Sequence, residues 1–76
     1  MEPFLRYVIG QLVEHPDDVI ITETESEGVL RIHVAMSKSD LGRIIGRGGH
    51  TIQALRTLLS AAGEKRGVKV FLSLPE

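Results

Sequence analysis

A chain of 76 residues has room for one small domain, and at that size folding buries only about 60% of the unfolded surface, so the core is thin. Hydrophobic residues make up 42% and cysteine is absent, which fits a globular domain without disulfides or thiolate chemistry and excludes a disordered tail. The net charge of −1 alone speaks against a polyanionic partner, but the charge is unevenly placed. Residues 1–36 hold two basic groups, Arg6 and Arg31, against seven acidic ones, a balance of −5. Residues 37–76 hold seven basic groups against three acidic ones, a balance of +4. Such polarity orients a charged ligand even when the total is near zero. No apolar stretch approaches the roughly 20 residues of a membrane span. Glu2 and Pro3 do not resemble the start of a signal peptide, so a cytoplasmic protein is expected.

Leu5, Val8, Ile9 and Leu12 fall at helical spacing, and Pro3 suits a first turn, so residues 3–14 read as a helix. The segment His15-Pro16-Asp17-Asp18 stops it. Val19 to Thr24 is rich in β-branched residues and reads as a strand. A turn is expected over Glu25-Ser26-Glu27-Gly28. From Val29 to Met36, Leu30, Ile32 and Val34 alternate with Arg31 and His33, the pattern of a half-buried strand. Ser37 or Ser39 can cap a short helix running to Ile45. Ile52, Leu55, Leu59 and Ala62 form one stripe of a longer helix that ends near Gly63 or Gly67. Val68 to Leu74 alternates again, with Val68, Val70, Leu72 and Leu74 on one side.

Between the second and third helices lies Ile44-Ile45-Gly46-Arg47-Gly48-Gly49-His50-Thr51-Ile52. Its Gly-x-x-Gly core can join two helices tightly, because glycine takes backbone angles closed to other residues. It also leaves N–H groups bare at the start of the next helix, where a phosphate is favoured. A Rossmann fingerprint would need a third glycine at position 51, where Thr51 stands, and a strand before the loop. A Walker A loop would need a Gly-Lys pair, which the chain lacks. His15, His33 and His50 have no metal-ligand spacing. No nucleophile–base set or carboxylate pair stands out, so an enzyme is not expected, nor a cofactor.

The order α-β-β-α-α-β with this loop resembles the KH domain of type II, a module that clamps about four nucleotides of single-stranded RNA or DNA. The minimal β-α-α-β unit would be residues 29–74, and the resemblance covers nearly all of residues 1–76 as one domain. The segment Ser39-Asp40-Leu41-Gly42-Arg43-Ile44-Ile45-Gly46 is similar to free-standing single-KH RNA-binding proteins of bacteria. Chain direction agrees with the implied α+β fold. The strands at 19–24 and 29–36 should be antiparallel across a short turn, and those at 29–36 and 68–74 parallel across two helices. A three-stranded mixed sheet with three helices on one face follows, leaving Arg31 and His33 on the open side.

The resemblance also implies a binding surface. Gly46 and Gly49 permit the sharp turn, Arg47 places a guanidinium beside a phosphate, and Gly48 lets the backbone approach. The Gly49 and His50 amides open a helix whose dipole favours an anion; His50 reads first as a helix-start residue. Lys38, Arg43 and Arg56 are the next basic groups that could flank the groove. Ile44, Ile45 and Ile52 would form an apolar floor for bases, although Ile52 also belongs to the buried stripe, and residues of 68–72 would form the opposite wall. Tyr7 and Phe71 are too few for a stacking platform. The implied partners are single-stranded RNA and a second KH chain, in a homodimer or in a heterodimer with a larger KH-containing RNA-binding protein. A KH-like protein-interaction module with incidental nucleic-acid contact is the competing expectation, and the two readings share one fold.

Overall fold

The computed structural model describes residues 2–75. Its elements are α1 (Glu2–Leu12), β1 (Ile20–Ser26), β2 (Val29–Ala35), α2 (Lys38–Ile45), α3 (His50–Arg66) and β3 (Lys69–Ser73). Short 3-10 turns occur at Pro16–Asp18 and Arg47–Gly49. The sheet order is β1-β2-β3, with β1 antiparallel and β3 parallel to the central strand. This is the α+β arrangement of a type II KH domain, a three-stranded mixed sheet with three helices on one face. Among the described residues, no helix is long and apolar enough to cross a membrane.

One layer of side chains between helices and sheet makes the core. Leu30, Ile32 and Val34 from β2 and Leu72 from β3 face Leu5 and Ile9 of α1, Ile44 of α2, and Ile52, Leu55 and Leu59 of α3. Each such side chain contributes about 1.5–3 kcal/mol when fully removed from water. The alternate residues of β2, Arg31 and His33, lie exposed on the other face.

Boundaries differ from the sequence reading where polar side chains decide them. Helix α1 ends at Leu12 rather than at Glu14. The Glu14 and His15 amides do not continue the helix; each donates to the Asp40 carboxylate at 2.9 Å. Strand β1 runs on through Glu25 and Ser26, so the turn shrinks to Glu27-Gly28. Both turn residues have positive φ, 51° and 77°, the requirement of a two-residue turn whose twist matches the strands. Ser37 stands at the N-cap of α2, yet its side chain makes no capping bond. It reaches Asp40 Oδ2 instead, at 3.2 Å.

Helix α3 passes through Gly63 and ends at Arg66, before Gly67. Its buried stripe is Ile52, Leu55, Leu59 and Gly63, and Ala62, expected in that stripe, is exposed. The reason is close approach. A Cβ on Gly63 would lie 2.6 Å from Val70 Cγ2 and 2.7 Å from the Val68 carbonyl oxygen. Only a hydrogen fits where α3 crosses the start of β3.

Asp40 has no exposed surface, and each of its carboxylate oxygens is bonded to a backbone amide of the α1 exit. Arg43 Nε adds a cation at 3.6 Å. Hydrogen bonds to a charged group are worth roughly 1.5–3 kcal/mol, and buried donors left alone cost about as much. Asp40→Ala should therefore lower stability by about 2–4 kcal/mol, and Asp40→Asn by less, since one acceptor survives; urea denaturation measures both. Equal stability of Asp40→Ala and wild type would contradict this account. Gly63→Ala gains about 1 kcal/mol of helix propensity. It also drives a methyl into a backbone oxygen, an overpacking cost of about 1–3 kcal/mol. The expected net result is a lower denaturation midpoint.

Candidate nucleic-acid interface

Helix α2 is short because Gly46 cannot continue it. Gly46 has φ 76° and ψ 170°, and its amide closes the last turn on the Gly42 carbonyl. A side chain there would meet Thr51 Oγ1 at 2.3 Å as well as the strained angle. Gly46 is thus fixed both by conformation and by the first turn of α3 packed against it. Gly48 is also left-handed, with φ 64° and ψ 16°, but a Cβ there would meet only the His50 ring, at 3.7 Å and beyond. The two positions differ in kind: one is closed by packing, the other is open to solvent.

The loop's hydrogen bonds correct one expectation. The Gly49 amide donates to the Gly46 carbonyl at 3.1 Å, and the His50 amide donates to the Arg47 carbonyl. These two amides, expected to be bare, hold the turn together. Among the described residues, the amides without a backbone acceptor in the loop are those of Arg47 and Gly48. Both belong to exposed residues. The Arg47 guanidinium forms no ion pair among the described residues. Two unpaired amides and an unpaired guanidinium therefore share one surface turn, beside the positive end of a 17-residue helix. Groups so arranged favour an oxyanion chemically.

The aliphatics divide. Ile44 and Ile52 are fully or almost fully buried and serve the core, whereas Ile45 keeps 37% of its surface exposed. Of the three expected floor residues, Ile45 is the one open to a ligand. The basic groups divide too. Arg56 lies on the α3 face next to β3, and its guanidinium donates to the Leu72 carbonyl at 3.3 Å. It lines a shallow groove of about 470 Å³ with Gln53, Thr57, Ser60, Ala61 and Glu64. Arg43 is turned away, paired with Glu14 at the exit of α1 and with Asp40. Lys38 is the first residue of α2, about 10 Å from the loop end at 1.5 Å of rise per residue. Chain geometry thus brings Ile45, Gly46, Arg47, Gly48, Gly49 and His50 together, sets Arg56 further along the groove, and leaves Lys38 and Arg43 outside it. The pairing of Arg43 with Glu14 spans 29 residues, and nothing local in the sequence signals it.

A cavity of about 320 Å³ continues this groove along the free edge of β3, between Ser60 and Glu64 of α3 and the segment Val68–Phe71. The expected opposite wall is therefore the edge of the last strand, with Val68 and Val70 half-buried and Lys69 and Phe71 exposed.

No solved structure matches the chain. Curated relatives do, over 92–100% of their length. An RNA-binding protein KhpA of Listeria monocytogenes is 40% identical over 76 residues, covering 100% of both chains. One from Chlamydia caviae is 40% identical, over 100% of this chain and 97% of the relative. One from Leifsonia xyli subsp. xyli is 41% identical over 70 residues, 92% of each chain. The family model described as KhpA/KhpB, KH domain, matches residues 2–74. With the fold and the glycine loop in place, the chain belongs to the KhpA/KhpB KH-domain family.

Proposed function

We propose that this chain binds single-stranded RNA, holding about four nucleotides against the Gly46–Gly49 loop, as KH modules do. The observation that carries the reading is the loop itself: Arg47 and Gly48 present two unpaired amides and one unpaired guanidinium on an exposed turn. A phosphate meets those donors. The bases then lie along α3 past Ile45 and Arg56 towards the edge of β3. The Leu72 carbonyl already accepts from Arg56, and the rest of that edge offers backbone groups to base edges. Gly49 and His50 hold the turn in shape, and Lys38 contributes at longer range. Arg43 joins only if it leaves Glu14. The relatives named RNA-binding protein KhpA support the same reading. In this role the protein acts in the cytoplasm as a post-transcriptional regulator or RNA chaperone, without catalysis.

One four-nucleotide site carries little affinity. Joining two such sites in one complex raises avidity by roughly 10²–10⁴ without new contacts. We therefore assign the protein a paired state, a homodimer or a heterodimer with a larger KH-containing RNA-binding protein. A surface for it exists on α3, where Leu58 is 54% exposed and Ala54 and Ala62 are exposed beside it. The same stripe is what a protein-interaction module would use, and this second reading differs only in whether the loop is needed.

Replacing Arg47 and Gly48 together by aspartate tests the loop. The left-handed angle at Gly48 makes the change cost about 1 kcal/mol of stability, so circular dichroism should still show a folded domain. RNA affinity in a gel shift should fall more than tenfold; unchanged affinity in the folded double variant would leave only the protein-interaction reading. Each phosphate contact to a single strand contributes about −0.7 to the salt slope of log affinity. About two contacts give a slope near −1.4, and a slope steeper than about −4 would contradict so small a site. Sedimentation at micromolar concentration should show a dimer that Leu58→Asp converts to monomer. A wild-type chain that stays monomeric and captures no second KH chain would overturn the paired state.

A further inference from the structure

The face of the sheet away from the helices is uncovered, and its composition is distinctive. The pairing register sets Thr24, Arg31 and Phe71 side by side in one row, and Thr22, His33 and Ser73 in the next. Val29 and Lys69 form the row beyond. Arg31 lies over the Phe71 ring at 5.2 Å from its centroid, and His33 Nδ1 is 2.9 Å from Ser73 Oγ. Phe71 nonetheless keeps 49% of its surface exposed. No carboxylate stands in these rows. The acidic residues of β1, Glu23 and Glu25, pair in register with the buried Ile32 and Leu30 and so project to the helix side. Glu25 is held there by Arg66 at 3.2 Å.

We propose that this open sheet face is a second contact surface for single-stranded RNA, on which a base stacks against the Arg31–Phe71 pair and Lys69 meets a neighbouring phosphate. The proposal rests on the RNA-binding reading of the loop and extends it, since it makes the chain engage more than four nucleotides. Three observations favour RNA as the occupant. The cations Arg31 and Lys69 stand in strand rows that hold no carboxylate, which suits a polyanion. An aromatic ring with a guanidinium over it offers flat π and cationic surface, the chemistry on which unpaired bases stack regardless of sequence. Finally, the face is continuous with the groove. Lys69 and Phe71 line the cavity at the β3 edge, and that cavity shares Ser60 and Glu64 with the groove of Arg56. A strand leaving the loop along α3 therefore arrives at the row of Phe71 and Arg31. Glu64 stands at the corner and turns phosphate away, so bases rather than phosphates face it there. At the hairpin end of the face, where the Lys69 amide donates to the Gly28 carbonyl, Glu27 borders a cavity with Arg31, Thr24 and Val29, and this carboxylate limits the path at the turn.

The experiment compares a labelled tetrauridylate with an oligouridylate of about ten nucleotides in polarisation titrations of the whole chain. The shorter probe fills only the loop site. Arg31→Gln should weaken the longer probe about fivefold, the low end of aromatic–base stacking, and leave the tetranucleotide unchanged; Phe71→Ala, at a residue that also borders the β3 edge of the groove, should weaken the longer probe several times more than the tetranucleotide. Lys69→Gln removes only an exposed charge and should lower the salt slope for the longer probe by about 0.7. The Arg31 and Lys69 variants carry the test if Phe71→Ala fails to fold. Variants that bind both probes as wild type does would overturn the proposal, as would equal losses on both probes, which would place the residues in the loop groove. A changed sedimentation coefficient with unchanged RNA affinity would assign the face to a protein contact and also overturn it. Should wild type bind neither probe, the loop reading fails and the sheet-face proposal with it.

Discussion

The carboxylate of Asp40 sits where the exit of α1 meets the start of α2, and the placement of the loop depends on it. It is fully buried, in the first turn of α2, and takes the Glu14 and His15 amides that α1 leaves behind. A buried charge is tolerated only when its acceptor capacity is filled, and Asp40 fills it with backbone donors, Ser37 and a flanking arginine. The result ties the exit of the first helix to the entry of the second. Helix α2 has only eight residues, so fixing its start also fixes where Gly46 begins the turn. A local hydrogen-bond network set by one side chain thus aims a ligand-facing loop at the other end of the helix.

The glycines show how closely structural and ligand-facing duties are interleaved. Gly46 and Gly63 are excluded from substitution by atoms of the protein: Thr51 in one case, Val68 and Val70 in the other. Gly48 meets nothing closer than 3.7 Å, and its freedom lies on the solvent side. Aliphatics separate in the same way, Ile44 and Ile52 inward and Ile45 outward. The Gly49 and His50 amides close the loop internally. Internal closure of this kind pre-positions the groups that face solvent, and pre-positioning lowers the ordering cost of any binding there.

Period and composition made the architecture legible. Leu30, Ile32 and Val34 alternate with exposed residues because one sheet face is buried, and the spacing of Ile52, Leu55 and Leu59 marks a helix face. The glycine pattern located the turn between two helices. What escaped was set by distant contacts or by special backbone angles. Glu14 and Asp40 are 26 residues apart, so the shortening of α1 has no local sign. Glu25 and Ser26 look like turn residues, but they pair with Leu30 and Val29, and the positive φ of Glu27 and Gly28 confines the turn to those two residues. Ala62 is the better apolar residue, but Gly63 is the one that lets the helix touch β3. Arg43 looked like a groove residue by proximity in sequence to the loop, yet one residue of helical phase decides direction: Ile44 points to the core and Arg43 towards α1.

Charge sorting completes the picture and resolves the net acidity. The carboxylates of the first half lie at the start and the exit of α1, on the helix side of β1 and at the hairpin, and Glu2, Glu14 and Glu25 are engaged by Arg6, Arg43 and Arg66. Exposed pairs of this kind contribute little stability, about 0–1 kcal/mol each. Their larger effect is to occupy Arg43 and Arg66 away from the loop, whereas Arg47 on the turn and Lys69 at the edge of the last strand form no ion pair among the described residues. Potential near a surface is set by groups within about a Debye length, roughly 8 Å at physiological salt. A polyanion approaching the turn therefore meets Arg47 and the start of α3 rather than the average of the molecule. The total charge reports how the protein behaves in bulk; the local arrangement decides what it can hold.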